Sequence, residues 1–145
     1  MSCTGVVIFD LDTFEPIHIT SIKTNDKQEY GDRLHTQREY MKDLIHKYPP
    51  YEIAIEKGFT AHNVSTQVIY RIHGVTQELF HEYLQFYYAP TTVKKLISGN
   101  GRSSKEVLQT SILKKYPNVE FKNTDESDAF AVGLTHLIKK HKMKW

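Results

Sequence analysis

Residues 123–138 constrain the fold of this chain more than any other stretch. Asn123 is a favourable helix N-cap, and Glu126, three positions later, is placed to complete a capping box. Apolar side chains then recur at the spacing of one buried helical face; they are Ala129, Val132, Leu134, Leu137 and Ile138. The stretch therefore predicts a long helix with one side in the core, against which the rest of the chain has to pack.

Two carboxylates lie at the start of this predicted helix. Asp125 and Asp128 are three residues apart, so both project from the same side of the helix. Close carboxylates repel each other and are costly to desolvate, and a divalent cation such as Mg²⁺ removes both problems. Acidic residues also favour a helix N-terminus through the macrodipole alone. The pair by itself therefore leaves a metal site and ordinary helix stabilisation both open.

Composition limits the class of protein. The chain has 145 residues, of which 39% are hydrophobic, as expected for one globular domain spanning 1–145. It has no secretory signal pattern and no apolar run near the ~20 residues that would span a membrane. The single cysteine, Cys3, excludes an internal disulfide and favours a reducing compartment, so we expect a cytoplasmic protein.

The basic residues and the histidines indicate less about function than the carboxylates do. The net charge is only +2, but lysines cluster in the last third of the chain, where they form either a nucleic-acid surface or an ordinary solvated face. None of the eight histidines lies at zinc-ligand spacing, so we expect no zinc site.

Periodicity and turn residues predict an α/β domain. A hairpin of strands at 5–9 and 17–22 precedes a helix that starts near Arg33 and is ended by Pro49 and Pro50. The later elements are expected to be a strand at 51–56, a long helix at 64–88, a strand at 93–98, a helix capped by Ser103 and Glu106, and the final helix. Residues 119–121 are too few to assign. A helix as long and apolar as that at 64–88 could bury part of itself against a second subunit.

Glu56 ends a predicted buried strand, which is where open α/β sheets place their ligand sites. A surface glutamate just past a strand end would give the same pattern. Phe59, in the loop that follows, is expected either to stack on a ligand or to join the core.

Four segments, taken in order, resemble the RuvC-type Holliday junction resolvases. Residues 2–24 are similar to that family's Ser-x-x-Thr-Gly start and hairpin, and residues 54–59 resemble its strand bearing a catalytic glutamate. Residues 93–105 resemble its basic strand and glycine-rich turn, with Gly99, Gly101 and Lys105 in place. Residues 125–136 resemble its closing helix, which carries the last two carboxylates.

The resemblance implies a ribonuclease-H-like fold, a mixed sheet flanked by helices. It also implies a homodimeric endonuclease that cuts four-way or branched DNA in recombination and repair and has no membrane partner. By matching position, Glu56, Asp125 and Asp128 would hold two Mg²⁺ ions, with Mn²⁺ as an alternative, while Lys94 and Lys105 would lie near the scissile phosphate. The expected DNA-binding residues are Phe59, Lys94, Lys95, Arg102 and Lys105.

One departure from the family pattern affects the site. The family carries its first catalytic aspartate on a strand just before the Ser-x-x-Thr-Gly segment, whereas this chain begins at Met1 and Ser2. We therefore expect that strand and its carboxylate to be absent. Either the natural start lies upstream, which we favour, or Asp10 takes over as the missing carboxylate.

Three alternative functions can be compared with the sequence. The segment at 8–13 superficially resembles the nucleophile motif of haloacid-dehalogenase-type phosphatases, but Thr13 follows Asp12 directly instead of two residues later. A dimer that binds branched nucleic acid without cutting it remains open, as does another nuclease of this fold that acts on RNA. Similarity of fold alone would not decide the substrate.

Overall fold

The structure, a computed structural model, describes residues 2–58 and 63–145. In chain order its elements are β1 (Ser2–Phe9), β2 (Pro16–Thr24), α1 (Tyr30–Lys47), β3 (Glu52–Glu56), α2 (Asn63–Leu79), β4 (Leu84–Tyr88), α3 (Pro90–Ser98), α4 (Lys105–Lys115) and α5 (Thr124–His141). This is the α/β class that the sequence predicts. In the described ranges, no helix is long and apolar enough to cross a membrane.

The four strands form two pairs. β1 and β2 are antiparallel from the Ser2–Thr24 pair to the Phe9–Pro16 pair, as expected for the hairpin. β3 and β4 are parallel and in register from Glu52–Leu84 to Glu56–Tyr88. Within the described residues these pairs are separate two-stranded sheets and not one continuous mixed sheet.

Helix α5 joins the two sheets. It packs on β1 and β3 and also against α3 and α4. Phe130, Ala131 and Leu134 on this helix have no exposed surface. The ring of Phe130 lies edge-on to Phe9 at 4.8 Å and to Tyr116 at 5.1 Å between centroids. Of the face that periodicity predicts, Val132, Leu134 and Leu137 are buried in the main core, whereas Ala129 and Ile138 are only partly buried.

A second, smaller core lies between the sheets and the first two helices. Its buried members are Ile22, Met41 and Phe80, with Val6 of β1 and Ile53 of β3 packed against them. Side chains from both sheets thus meet in this core, although no hydrogen bond links the two pairs of strands among the described residues.

The sequence prediction is wrong for two elements. Residues 93–98 belong to helix α3: Pro90 occupies the first turn, and Val93 and Ile97, one helical turn apart, are its buried residues. A glycine with φ of 83°, Gly99, ends this helix. The helix expected at 64–88 ends at Leu79, and its last part is strand β4.

Two smaller differences concern caps and short segments. The N-cap of α4 is Ser104, whose hydroxyl accepts the Val107 N–H at 3.2 Å, and not Ser103. Ser103 instead donates its hydroxyl to the Asn100 carbonyl at 2.7 Å. Residues 119–121 form no strand.

Strand β1 approaches the start of α5 so closely that only glycine fits at position 5. A Cβ on Gly5 would lie 1.9 Å from the Asp125 carbonyl oxygen, which is far inside van der Waals contact. The clash is with backbone, so it cannot be relieved by a side-chain rotation.

We expect Gly5→Ala to destabilise the fold by about 2–3 kcal/mol, because the added methyl forces β1 and α5 apart. Gly74→Ala is the matched control. A Cβ there meets nothing within 4 Å, and alanine in an exposed helix interior should stabilise the chain by up to about 1 kcal/mol. Chemical denaturation of the two variants measures both effects, and equal stability would contradict the close approach.

Candidate active site

The first two turns of α5 present Asp125 and Asp128. Asn123 is the N-cap, as predicted, and its side-chain oxygen accepts the Glu126 N–H at 3.0 Å. This cap fixes the direction in which the helix starts. Both aspartates are partly buried.

Glu126 anchors the start of α5 to β2. Its side chain is 1% exposed, and one carboxylate oxygen accepts the Lys122 N–H at 2.8 Å while the other accepts the Ser21 hydroxyl at 3.1 Å. The Asn123 amide donates to the Ser21 oxygen at 3.0 Å. The expected capping box is therefore altered, because Glu126 reaches Lys122 and not the N-cap N–H. Sequence reasoning did not identify Ser21 as part of this support.

Cys3 of β1 lies beside Asp125. Burial raises the pKa of the Cys3 thiol, and a hydrogen bond to Asp125 and the negative charge of that carboxylate raise it further. Together with the contact at Gly5, this places Asp125 against the first strand.

Glu56 lies at the carboxyl end of β3, where the sequence places it. Desolvation raises the pKa of its carboxyl, and the negative charge of Asp128 adds to this, while Lys105 and Lys94 oppose it. Glu56 as a residue is exposed, so solvent screens part of the effect. Helix α5 packs on β3, in agreement with the influence of the Asp128 charge on Glu56.

Asp128 forms an ion pair with Lys105 at 3.3 Å. Burial raises the pKa of Asp128, Lys105 and Lys94 lower it, and the charge of Asp125 raises it again. The net direction is upward, so the two lysines do not fully offset the cost of burying this charge.

The two lysines come from different helices. Lys94 lies in the middle of α3, and Lys105 is the first residue of α4. The Lys105 ammonium also lies 3.5 Å from the Thr124 hydroxyl at the start of α5. The four elements β3, α3, α4 and α5 thus contribute to a single cluster of acidic and basic groups.

Two further basic residues lie on α3, the helix that carries Lys94, and in the turn after it. Lys95 is exposed on α3, and Arg102 is exposed in the turn. A Cβ on Gly101 would lie 3.9 Å from the Lys95 Cβ, so the turn packs along this part of α3. Lys95 and the turn that carries Arg102 are therefore neighbours on the surface.

The structure does not place two of the residues predicted from the sequence, Asp10 and Phe59, in the carboxylate cluster. Asp10 lies in the hairpin turn, where its carboxylate accepts the N–H groups of Asp12 at 2.8 Å and Thr13 at 3.1 Å. It is seven residues from Cys3 along an extended strand, roughly 23 Å at about 3.3 Å per residue. This geometry does not favour Asp10 as a ligand beside Asp125. Phe59 lies outside the described residues.

The carboxylate cluster suits a hard divalent cation. Its donors are oxygens, and the raised pKa values of Glu56 and Asp128 reflect burial and like charges that a dication would compensate. Among the described residues, Glu56, Asp125 and Asp128 do not each offer an oxygen within 4.8 Å of the other two. Movement of these side chains would therefore accompany cation binding.

A second polar cluster was missed by the sequence analysis. The ligand atoms of Glu52, His136 and His141 lie within 4.8 Å of one another. The prediction that the histidines form no zinc-type site considered only spacing along the chain. Glu52 is too distant in sequence to be part of such a pattern, and only the packing of β3 on α5 reveals it.

The sequence matches a known family over most of its length. Residues 3–136 match the family described as "Crossover junction endodeoxyribonuclease RuvC". Proteins of that name include one from Wolbachia sp. subsp. Brugia malayi, 31% identical over 97% of this chain and 90% of its own length. Another, from Alkaliphilus metalliredigens, is 32% identical over 94% of this chain and 86% of its own.

Solved structures match the fold. "T. thermophilus RuvC in complex with Holliday junction substrate" superposes with a TM-score of 0.77 at 21% identity, over 91% of this chain and 83% of that one. "Thermus thermophilus RuvC structure" gives a TM-score of 0.72 at 18% identity, over 95% and 87%.

We expect Asp128→Asn to raise the melting temperature at pH 7 by about 2–4 °C in metal-free buffer. The pKa of Asp128 is higher in the folded chain than its ordinary value of 3.8, so the folded state binds the proton more tightly. Stability is therefore lost as pH rises from that value through the folded-state pKa, and the benefit of asparagine grows over the same range. Melting curves from pH 3 to pH 8 measure this.

Asp43→Asn, on the exposed face of α1, is the control and should change stability by no more than about 0.5 kcal/mol. A destabilised Asp128→Asn chain at pH 7 would mean that the ion pair with Lys105 outweighs burial.

Proposed function

The chain belongs to the RuvC family of crossover junction endodeoxyribonucleases, and on that premise we propose that it cuts four-way or branched DNA with the cluster around Asp128. One observation carries the proposal. The Lys105 ammonium pairs with the Asp128 carboxylate at 3.3 Å. The carboxyls of Glu56 and Asp128, 72 residues apart in sequence, are each affected by the charges of Asp125, Lys94 and Lys105.

Glu56, Asp125 and Asp128 are proposed to hold two Mg²⁺ ions, with Mn²⁺ as an alternative. Bound ions of this kind activate water and neutralise charge on the transferring phosphoryl group. The chain itself supplies the oxygen ligands and holds them in place through the cap at Asn123 and the anchor at Glu126.

Lys105 is proposed to contact the scissile phosphate. In the described structure it pairs with Asp128 at 3.3 Å. When that carboxylate is engaged as a ligand, the ammonium is available to a phosphate oxygen, where it would offset the charge that develops in the transition state. Lys94 supports the same site from α3.

Exposed basic side chains and the related proteins both support DNA as the class of substrate. Lys95 and Arg102 are exposed on α3 and in the turn after it, and they suit the sugar–phosphate backbone, which carries no sequence information by itself. Selection of a junction would then come from the shape of the DNA and the spacing of two sites. Phe59 is proposed, from the family resemblance alone, to contact bases.

A homodimer would provide the second site, because the described part of each chain contains one carboxylate cluster of this kind and a junction is resolved by two cuts. Helix α2 is the proposed contact surface. Its Tyr70 is 52% exposed, and the neighbouring Arg71 guanidinium lies 4.5 Å from the ring of Tyr30, itself 43% exposed. Exposed aromatic residues with arginine are typical of protein interfaces.

Cleavage of a labelled four-way junction in Mg²⁺ tests the proposal. We expect Asp128→Asn to lower the single-turnover rate by about 100-fold or more, through loss of several kcal/mol of transition-state stabilisation. Lys105→Gln should lower it by about 100-fold, as when a donor to a developing charge is removed. Both variants should still bind the junction.

Lys42→Gln, an exposed lysine on α1, is the control for the loss of a positive charge and should cleave at the normal rate. Full Mg²⁺-dependent cleavage by Asp128→Asn would contradict the assigned site. Junction binding by the unaltered chain without any cleavage would instead support the binding-only alternative.

We expect Arg102→Gln and Lys95→Gln each to weaken junction binding and to reduce the slope of log affinity against log salt by about 0.9, the value for one lost phosphate contact. Titrations between 50 and 200 mM salt, by fluorescence anisotropy, measure both quantities. If the slope of log affinity against log salt is unchanged in both variants, then α3 and the turn after it do not contact the DNA.

A further inference from the structure

We infer that Glu52, His136 and His141 form a second cation site, suited to a transition-metal dication such as Zn²⁺. It lies at the amino end of β3, whereas Glu56 is at the carboxyl end. On α5, His136 is eight residues beyond Asp128, about 12 Å along the helix axis. The site is therefore separate from the carboxylate cluster and does not depend on the proposed cleavage.

Three ligand atoms converge at this place. His136 and His141 both direct their Nε2 atoms at the same carboxylate oxygen of Glu52. The His141 Nε2 lies 3.0 Å from that oxygen. Ligand atoms of a tetrahedral zinc ion lie about 3.3 Å apart, given bonds of about 2.0–2.1 Å. The side chains are thus close to the spacing that a shared ion requires.

His136 has a hydrogen-bond partner on its second ring nitrogen, as metal-bound histidines usually do. The Tyr88 hydroxyl lies 2.8 Å from Nδ1 of His136, so the remaining ring nitrogen is held and the ring orientation is fixed. Metal-ligating histidines usually have such a partner on their second nitrogen. Phe86 packs against the same imidazole at 4.7 Å between ring centroids.

Burial and access are both consistent with a bound ion. The side chain of His136 is 7% exposed and that of Glu52 is 12% exposed, so their polar atoms are largely withdrawn from water. The side chain of His141 is 24% exposed, which leaves an approach from solvent. An open pocket of about 540 Å³ is lined by Phe86 and Tyr88, which contact His136, and also by Lys139 and Lys140.

The ligand chemistry selects against Mg²⁺. Two imidazole nitrogens and one carboxylate oxygen suit zinc and its first-row neighbours, while Mg²⁺ prefers oxygen ligands and retains its water. Three protein ligands also leave a fourth position for water. Such an ion would tie the last turns of α5 to the start of β3 and so fix the helix that carries Asp125 and Asp128.

Zn²⁺ titration by calorimetry tests this site. The background chain carries Asp125→Asn and Asp128→Asn, so that the other carboxylate cluster does not compete for the ion. We expect one Zn²⁺ per chain in this background and at least 100-fold weaker binding after His141→Ala. Tyr88→Phe, which keeps the shape of the core, should weaken binding by about 10-fold to 100-fold.

His141 is the last residue of α5 and partly exposed, so its replacement leaves the core closed, and circular dichroism checks the fold of each variant. His35→Ala, on the exposed surface of α1, is the control and should bind Zn²⁺ normally. Co²⁺ provides a second readout, since a tetrahedral site with nitrogen ligands gives an intense visible spectrum. Equal Zn²⁺ uptake by His141→Ala and His35→Ala would contradict the site, and so would a folded background chain that binds no Zn²⁺. Glu52, His136 and His141 would then only form hydrogen bonds that hold β3 to α5.

Discussion

The position of α5 against the two sheets is the constraint on which the rest of the structure depends. The Gly5 contact lets β1 approach the first turn of the helix, and the buried Glu126 ties that turn to Ser21 of β2. Farther along, Phe130 and its aromatic neighbours fill the main core. Because the described strands form two separate pairs, the helix provides the packing that holds them together.

Both polar clusters are built on the same pair of elements. Glu56 and Asp128 meet at one end of β3 and α5, while Glu52 meets His136 and His141 at the other. Burying the carboxylates of the first cluster is unfavourable, because they lose water and repel one another. The charges of two lysines offset this unfavourable burial only in part. In the second, burial alone would raise the pKa of Glu52, but hydrogen bonds from His141 and His136 outweigh it and lower that pKa. The burial cost of the first cluster is thus only partly compensated, whereas Glu52 in the second cluster has hydrogen-bonded partners.

The sequence predicts the parts of the fold that local patterns determine. The hairpin, α1, β3 and the cap of α5 at Asn123 follow from periodicity and from residues near the element ends. Strand β4 was missed because Tyr83 continues the apolar pattern of α2 up to the start of this strand, and only pairing with β3 makes residues 84–88 a strand. Helix α3 was taken for a strand because residues 93–98 are a short segment with three apolar residues in six, for which periodicity alone does not separate helix from strand.

The candidate site was predictable only in part. Spacing on one helix placed Asp125 and Asp128 together, and the strand end identified Glu56, but their meeting with two lysines rested on the family resemblance. The role of Glu126 in anchoring α5 and the cluster at Glu52 depend on contacts between distant segments. No local pattern encodes such contacts, so the structure was needed to find them.

A double-mutant cycle between Glu56→Gln and Asp128→Asn tests most directly whether α5 and β3 bring their carboxylates together. Stability is measured by chemical denaturation at pH 7 in metal-free, low-salt buffer. If the charges repel at one site, either single change already relieves the repulsion, so the double variant gains less than the sum of the two. Additivity within about 0.3–0.5 kcal/mol would show two independent groups and would contradict the shared site.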